Sequence, residues 1–350
     1  MTTRTPGIHH VTGIVGDATD AVEFYSEVLG LRLLRITVNY EDVLQHHLYF
    51  GTGEGGPGSV LTVFPDPGAE LGRVGKPGYE SVSLAVPSGS LEYWRNRLSD
   101  RGVPVDDVDP DDRFGDPTLR VTDPAGTSIE LVETNSTAPT DGGPDPGEPW
   151  LAGPIPESAA VRGLEGATAL PADPYGAATV LETLGFEYEA ERSDRIRYRA
   201  PGDRATRIDL LNRNAPFGRE GPGTLHHVAV RVPDREALLD WHALFRDRGR
   251  GYDVSRVKDR HFFHSLYVRG PGGLLVELAT EAPTPDGPRG PGLADPDVDG
   301  HASEIYLPDR FADDRDLIER QLPRIEPPED SFRPDSSEDS NRSDPPGANE

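Results

Sequence analysis

The same short pattern occurs near the start of the chain and again far along it. Residues 8–17 read IHHVTGIVGD, and residues 225–234 read LHHVAVRVPD. Each copy joins two histidines to an alternating apolar run, which predicts a strand with one buried face. A helical pattern follows each copy, beginning at an aspartate that can cap it and stopping at a glycine, Gly30 or Gly249. The repetition indicates that the fold is built from repeated units.

Two further copies of this unit are visible once the pattern is known, at 80–102 and 164–186. In every copy, strand-like segments come after the helix, and a Pro/Gly turn introduces the last of them. The pattern therefore predicts an α+β fold of four βαβββ modules. The modules, numbered 1 to 4 in chain order, lie at roughly 7–65, 79–133, 161–212 and 222–280.

A segment rich in Pro, Gly and Asp separates module 2 from module 3 and predicts a linker. We therefore expect two tandem domains of two modules each. The end of the chain is polar and acidic, which predicts disorder. The predicted division is an N-terminal domain at 1–133, the linker at 134–160, a C-terminal domain at 161–281, a loop with a C-terminal helix at 282–325, and a disordered acidic tail at 326–350.

The composition narrows the function. The formal net charge is −26, and lysine occurs only at positions 76 and 258. So acidic a surface offers phosphates no positive face, which argues against nucleic-acid binding. It fits a protein that stays soluble at high salt, and the scarcity of lysine points to a halophilic archaeal source. The absence of cysteine excludes disulfides and thiolate metal sites. Neither an apolar signal segment nor a membrane-length apolar run occurs, which predicts a cytoplasmic protein without a membrane partner.

Aligning the four modules on their turns predicts a site. The position of the second histidine holds, in chain order, His10, Ser81, Gly166 and His227. The middle of the last strand holds Val63, Glu130, Asp209 and Glu277. If module 1 faces module 4, two histidines and one carboxylate meet, with Val63 in the fourth place. We call this predicted site the first cup. Modules 2 and 3 would form a second cup, where we expect no metal.

Two imidazoles and one carboxylate on neighbouring strands, with other positions open, form the facial triad of non-haem iron oxygenases. The predicted ligands are His10, His227 and Glu277. A glutamate in an otherwise apolar strand also needs a partner, because an unpaired buried carboxylate is costly. The triad predicts Fe(II), and Mn(II) stays open because both ions take the same ligands.

Four segments carry a resemblance to a known family. They read GIHHVTGIVGDATDAVEFYSEVLGLRLLRITVNYED, HHLYFGTGEGGPGSVLTVFP, GTLHHVAVRV and KDRHFFHSLYVRGPGGLLVELATEAP. The four-module pattern resembles the vicinal oxygen chelate superfamily, which includes glyoxalase I and extradiol dioxygenases. Within it, these segments are most similar to ring-cleaving dioxygenases that act on para-hydroquinones. The resemblance covers about residues 5–325.

The resemblance implies an activity and a set of site residues. It implies metal-dependent insertion of O2 into a small hydroquinone-type aromatic diol, with cleavage between the hydroxylated carbon and its neighbour. The metal ligands of the family fall on His10, His227 and Glu277, in agreement with the module alignment. The implied catalytic residues around the metal are His9, Thr12, His226, Arg260 and Tyr267. Among these, His9 or His226 is expected to act as the acid–base partner.

Three alternatives stay open from the sequence. Extradiol cleavage of a catechol would use the same triad. Glyoxalase I-like lyase or isomerase chemistry on Zn or Ni normally needs a second carboxylate, and Val63 does not supply one. A metal-free binding protein on the same modules would not need the histidine ligands. The sheet edges of such modules often pair, which favours a homodimer.

Overall fold

The structure, a computed structural model, describes residues 4–134, 148–249, 251–284, 293–294 and 300–325. The predicted acidic tail at 326–350 lies outside the described residues, and so do residues 135–147 of the predicted linker. Within the described ranges no helix is both long and apolar enough to cross a bilayer. The part of the linker that is described, 148–160, contains neither helix nor strand.

Module 1 contains four strands and a short helix. Its strands are β1 Ile8–Val15, β2 Arg32–Asn39, β3 Asp42–Gly51 and β4 Val60–Pro65. Helix α1, Ala18–Val22, starts at the predicted N-cap Asp17, whose carboxylate accepts from the amides of Thr19 and Asp20. The helix continues as a π-helix over Glu23–Val28, which the sequence pattern does not reveal. Gly30 follows in the left-handed region, at φ 71°, as predicted for a helix end.

Modules 2 and 3 repeat the same order of elements. Module 2 comprises β5 Gly78–Pro87, α2 Leu91–Asp100, β6 Val105–Asp107, a 3-10 helix Pro110–Arg113, β7 Thr118–Thr122 and β8 Ser128–Thr134. Module 3 comprises β9 Gly163–Leu170, α3 Pro174–Leu184, β10 Glu187–Arg192, β11 Arg195–Arg199 and β12 Arg207–Leu211.

Module 4 and the C-terminal segment complete the described chain. Module 4 comprises β13 Thr224–Val232, α4 Arg235–Asp247, β14 Asp253–Val254, β15 Lys258–Asp259, β16 His264–Arg269 and β17 Leu275–Thr280. Asp234 caps α4 as predicted. The predicted C-terminal helix is a 3-10 helix at Asp309–Asp314 followed by α5, Arg315–Gln321. These elements confirm the α+β fold class.

Strand pairing follows one rule inside every module. The first strand runs parallel to the last, in the pairs β1–β4, β5–β8, β9–β12 and β13–β17. Because the chain must cross over between parallel neighbours, the helix of each module packs on one face of the sheet. The buried indoles of Trp94 on α2 and Trp241 on α4 show this packing. The opposite face of the sheet is free to line a site.

Pairing between modules decides where the sites form. Strand β1 runs antiparallel to β13, so module 1 faces module 4, which confirms the pairing predicted for the first cup. Strand β5 likewise pairs with β9, so module 2 faces module 3. A contact between Leu225 and Tyr79 joins β13 to β5. These pairs cross the predicted boundary between the tandem domains.

A β-bulge lies at the same place in all four modules. On β1 the extra residue is His9, because Ile8 faces Val230 while His10 faces Ala229. The bulges on the other three first strands leave Glu80, Glu165 and His226 as the extra residues. Bulges interrupt the strict alternation of strand side chains and re-aim them, often beside active sites.

Candidate metal centre and active site

The structure brings the three predicted ligands together at the bottom of the first cup. Nε2 of His10 lies 3.1 Å from Oε2 of Glu277, and Nε2 of His227 lies 2.7 Å from the same oxygen. One ligand atom from each residue falls within 4.8 Å of the others. All three side chains are buried. Neighbouring strands β1, β13 and β17 therefore place two nitrogens and one oxygen around a common point.

The surroundings of Glu277 fit a cation. Within the described chain, neither of its carboxylate oxygens has a hydrogen-bond donor in good geometry, although both are inaccessible to solvent. The nearby imidazole of His227 does not supply a positive charge near neutral pH, because burial lowers its pKa to about 4. A buried anion whose neighbours include the neutral imidazole of His227 is costly without a compensating ion. The donor set suits a divalent iron, manganese or zinc ion.

Each of the two candidate ligand histidines contacts the histidine that precedes it in the sequence. Nδ1 of His9 lies 3.0 Å from Nδ1 of His10, and the corresponding distance between His226 and His227 is 2.7 Å. When Nε2 of a ligand binds a metal, Nδ1 carries the proton and can donate it to the neighbouring ring. Such contacts fix the tautomer and the orientation of a ligand histidine.

Strand alternation predicts that His9 and His10 point to opposite faces, and this prediction is wrong. The rings of both residues lie against Phe263, with centroid distances of 5.2 and 5.4 Å. The bulge at His9 is the physical reason, since the extra residue breaks the period of two. The bulge at His226 has the same effect on β13, where that ring meets the ring of His227.

The fourth place of the cup belongs to Thr62, and the prediction of Val63 is wrong by one position. In module 4, Glu277 on β17 pairs with Ala229, two residues after the ligand His227. The equivalent partner of Thr12, two residues after His10, is Thr62. Module 1 has one residue fewer between its Gly/Pro turn and the paired strand, so alignment on the turn slips the register. Val63 instead packs in the hydrophobic core.

Thr12 contacts both the ligands and the corrected fourth position. Its Oγ1 lies 3.0 Å from Nε2 of His227 and 2.8 Å from Oγ1 of Thr62. The sequence pointed to Thr12 through the resemblance, whereas Thr62 gave no signal because its importance depends on the register of β4. Neither threonine exposes any surface to solvent.

His47 is a further site residue that the sequence analysis did not assign. Its Nε2 lies 2.9 Å from Oγ1 of Thr62, and its ring lies between the rings of Tyr49 and Phe64. The HHLYFG segment contains it, but the two adjacent histidines of that segment have different surroundings. His46 contacts the backbone oxygen of Pro323 in the C-terminal segment, at 2.8 Å. The alternation of β3 thus directs only the second histidine into the cup.

Arg260 and Tyr267 form one wall of the cup. Nη2 of Arg260 donates to the hydroxyl of Tyr267 over 3.0 Å, and Glu41 lies 3.5 Å from the same guanidinium group. Tyr267 pairs with Glu277 across β16 and β17, and its ring meets that of His227 at 5.3 Å. Burial and the charge of Glu277 raise the pKa of Tyr267, so the phenol stays protonated.

The two phenylalanines of the HFFH segment close the cup with aromatic surface. Phe263 packs on His9 and His10, as described above. Phe262 packs on Tyr49 and on Tyr306 of the C-terminal segment, with centroid distances of 5.8 and 5.6 Å. His261, between Arg260 and Phe262, has a left-handed φ of 67°. This backbone turn directs its neighbours towards the cup.

The two outer histidines differ in environment. Burial, followed by the charge of His10, lowers the pKa of His9 well below its ordinary value. The side chain of His226 is 26% exposed, and its Nε2 lies 3.6 Å from a carboxylate oxygen of Glu220. Burial lowers the pKa of His226 too, while Glu220 opposes the shift. His226 also lines an open cleft together with Arg219 and Arg269.

Comparison with known protein families identifies the superfamily of this chain. The profile of the glyoxalase/bleomycin resistance protein/dioxygenase superfamily matches residues 7–131 and 180–278. The chain belongs to this superfamily. The matched ranges include all four modules in whole or in part and contain the three predicted ligands.

Curated relatives within the superfamily are named for ring cleavage. MhqO of Bacillus subtilis (strain 168), which is named as a ring-cleaving dioxygenase, is 36% identical over 324 residues, covering 92% of this chain and 97% of MhqO. The chlorohydroquinone/hydroquinone 1,2-dioxygenase of Sphingobium indicum is 33% identical over 290 residues, covering 79% of this chain and 85% of that protein.

Solved structures of the superfamily show the same architecture. A Bacillus subtilis protein described as a dioxygenase superposes with a TM-score of 0.83 and 35% identity, covering 93% of this chain and 99% of that chain. Glyoxalase I from Zea mays superposes with a TM-score of 0.56 and 16% identity over 79% of this chain and 92% of that one. The maize likeness shows the fold alone.

The second cup of this superfamily member contains a guanidinium group in place of a ligand set. Arg113, at the end of the 3-10 helix, enters between β5, β8, β9 and β12. Its terminal nitrogens lie 3.3 Å from Glu130, 3.1 Å from Glu165 and 3.2 Å from Asp209. Further ion pairs reach these carboxylates from Arg120, Arg195, Arg197 and Arg207. Of the predicted members of this cup, Ser81 has no hydrogen-bond partner for its hydroxyl within the described chain.

Proposed function

We propose that the protein is a metal-dependent ring-cleaving dioxygenase that inserts both atoms of O2 into a hydroquinone-type aromatic diol. The observation that carries this proposal is the cluster of His10, His227 and Glu277, with a threonine instead of a carboxylate in the fourth place. This is the donor set of a facial triad, which leaves coordination positions for a substrate oxygen and for O2.

The proposed metal is Fe(II), with Mn(II) as the alternative that the same ligands would accept. A divalent iron ion bound by these three residues would act as a Lewis acid for a phenolic oxygen and as the binding partner for O2. The protein residues then orient the ring, exclude water and handle protons. A para-diol presents only one oxygen to the ion, since its second hydroxyl lies across the ring.

Arg260 and Tyr267 are suited to orient the bound oxygens. Their hydrogen bond joins a permanently charged guanidinium group to a phenol that keeps its proton. Both groups can therefore donate to negative charge on a substrate oxygen in a site from which water is largely excluded. Phe263 and Phe262 supply the aromatic surface against which a ring can pack.

His9 and His226 are suited to hold the ligand rings, because each faces the outer nitrogen of a ligand histidine. The acid–base role expected for one of them remains a prediction. His226 fits that role better than His9, because the side chain of His226 is partly exposed. His9 is buried, and its pKa is lowered well below the ordinary value.

The relatives support a hydroquinone-type substrate. The Sphingobium protein is named for 1,2-cleavage of chlorohydroquinone and hydroquinone, which is cleavage between the hydroxylated carbon and its neighbour. The lyase chemistry of a glyoxalase I-like enzyme is less well supported, because Thr62 offers no second carboxylate in the first cup.

Oxygen uptake by anaerobically Fe(II)-loaded protein in molar KCl tests the proposal. Hydroquinone, methylhydroquinone, chlorohydroquinone and catechol are offered in turn, with His227→Ala as the control. We expect uptake with a hydroquinone, ring-opened product by mass spectrometry, and neither in the variant. Uptake with catechol alone would instead place the enzyme among those that cleave ortho-diols. No uptake despite bound iron would refute the dioxygenase assignment.

A further inference from the structure

Three side chains form a hydrogen-bonded row that crosses the first cup. Thr12 on β1, Thr62 on β4 and His47 on β3 lie on adjacent strands. The row runs from Nε2 of His227 to Oγ1 of Thr12 over 3.0 Å, on to Oγ1 of Thr62 over 2.8 Å, and on to Nε2 of His47 over 2.9 Å. It therefore links the ligand cluster to a third strand on the far side of the cup.

The two threonines are placed where an apolar residue would be the simpler choice. Both are fully buried, and valine has nearly the same shape. A buried hydroxyl without a partner costs about 1–3 kcal/mol, so each of these hydroxyls depends on its neighbour in the row. A hydroxyl both donates and accepts, which allows a proton to enter at one end of such a row while another leaves at the far end.

His47 is suited to the outer end of this row. Its side chain is partly exposed, in contrast to the two threonines. The groups that act on it are His10, His227 and Arg260, which oppose its protonation, and Glu277, which favours it. Burial is the largest influence and, together with His10, Arg260 and His227, keeps the pKa of His47 well below its ordinary value. A neutral imidazole is therefore available to accept a proton and pass it to water.

The inner end of the row lies beside the ligand cluster, where Oγ1 of Thr12 is 3.0 Å from Nε2 of His227. With a cation held at Nε2 of His227, that nitrogen would not accept a hydrogen bond from Thr12. The Thr12 hydroxyl would then be available to bond an oxygen beside the ligands. Arg260 and Tyr267 lie on the wall formed by β16 and the residues before it, so they do not interrupt the row.

We propose that Thr12, Thr62 and His47 carry the phenolic proton of the substrate out of the first cup. This inference rests on the function proposed above. The substrate O–H bond breaks and its proton passes to Thr12. Thr12 passes its own proton to Thr62, and Thr62 passes its own to Nε2 of His47. His47 then releases the proton on Nδ1 to water. No group is oxidised or reduced in this transfer.

The closing experiment compares variants that break or keep the row. Thr62→Val and His47→Gln break it, while Thr62→Ser keeps it. Thr168→Val is the control, because it makes the same threonine-to-valine change at a fully buried residue of the second cup, outside the row. Proton release on anaerobic substrate binding is followed with a pH indicator, next to kcat and iron content. We expect unchanged iron content, slower proton release and kcat lowered about tenfold or more in the two breaking variants only.

Two further readouts keep the result decisive. His47→Ala should regain turnover with added imidazole. In the metal-free protein, the Nε2 resonance of His47 in nitrogen-15 NMR should shift in Thr62→Val and stay unchanged in Thr168→Val. The inference would be overturned, with the proposed function left standing, by an unshifted His47 resonance in Thr62→Val. Unchanged proton release in both Thr62→Val and His47→Gln of an active enzyme would have the same consequence. Proton release that is lost in His226→Gln and retained in His47→Gln would also overturn it. A wild-type protein that turns over no diol would refute the proposed function as well.

Discussion

The two cups have the same backbone plan and opposite contents. In each, two first strands pair antiparallel and each carries a bulge, and each last strand runs parallel to its first strand. The first cup holds two imidazoles and one carboxylate. The second holds three buried carboxylates around the guanidinium group of Arg113. The repeated module gives both cups the same frame, and the side chains make only the first a candidate metal site among the described residues.

The difference shows how a buried anion is compensated. Burial by itself would raise the pKa of Glu130 and Asp209, yet the surrounding arginines outweigh burial and lower both. Among the described residues, no such ring of guanidinium groups surrounds Glu277, and its neighbours are histidines whose nitrogens can bind a cation. The second cup supplies its own positive charge, whereas the first requires an external one.

The largest expected effect comes from removing the ligand set of one cup. Glu277→Gln should lose bound iron and all detectable turnover, because the amide lacks the charge that holds the cation. Glu130→Gln is the matched change in the second cup and should keep full iron content. Metal analysis of the purified, Fe(II)-loaded proteins provides the measurement. Loss of an equivalent of iron from Glu130→Gln would show that the second cup also binds metal.

Two neighbouring substitutions on β4 test the corrected register. Val63→Glu should prevent stable folding, because it places a carboxylate in the hydrophobic core at a cost of several kcal/mol. Thr62→Glu should fold, retain metal and lose oxygen uptake, because a second carboxylate would fill the fourth place of the first cup. Thermal unfolding and metal content distinguish the two. A folded, metal-binding Val63→Glu with an unfolded Thr62→Glu would restore the turn-based alignment.

Removing the guanidinium group of Arg113 from the second cup should destabilise the protein without lowering the metal content of the first cup. Arg113→Met leaves buried carboxylates short of a partner, and we expect it to lower the free energy of unfolding by about 3–5 kcal/mol. Urea denaturation in molar KCl measures the change. Arg95→Met removes an exposed pair with Asp107 and should leave the midpoint unchanged. Equal midpoints for both variants would mean that the buried network adds no stability.

The smallest effect is a pH dependence of the second cup. The folded pKa of Asp209 lies below its usual 3.8, so its stabilising contribution is complete above that pH. The contribution is lost as the pH falls through the lowered value. The stability gap between wild type and Asp209→Asn should therefore be constant near neutrality and narrow below about pH 4. Unfolding midpoints at pH 7 and pH 3 give the gap, and a gap that widens on acidification would contradict the charge assignment.

Much of the first cup could be predicted without coordinates. The repeated His-His strand and the glutamate in LLVELAT predict the cluster of His10, His227 and Glu277, because equivalent positions of the modules meet in the fold. The position of Thr62 could not be predicted, since a one-residue difference in a turn changes the register of every following side chain. The outer contacts of His9 and His226 depend on bulges, which leave no clear mark in the sequence. The halophilic source and the homodimer remain predictions.

The sequence by itself determined the four modules and the α+β class, and it predicted which three residues cluster as candidate metal ligands, because period, caps and repeat positions are local properties of the chain. Only the tertiary structure decided that Arg113 fills the second cup and that His47 joins the first. Arg113 lies 96 residues along the chain from Asp209, whereas His47 lies only 15 residues from Thr62 and meets it through the register of β3 against β4. Strand pairing and loop direction, which result from packing the whole chain at once, bring them there.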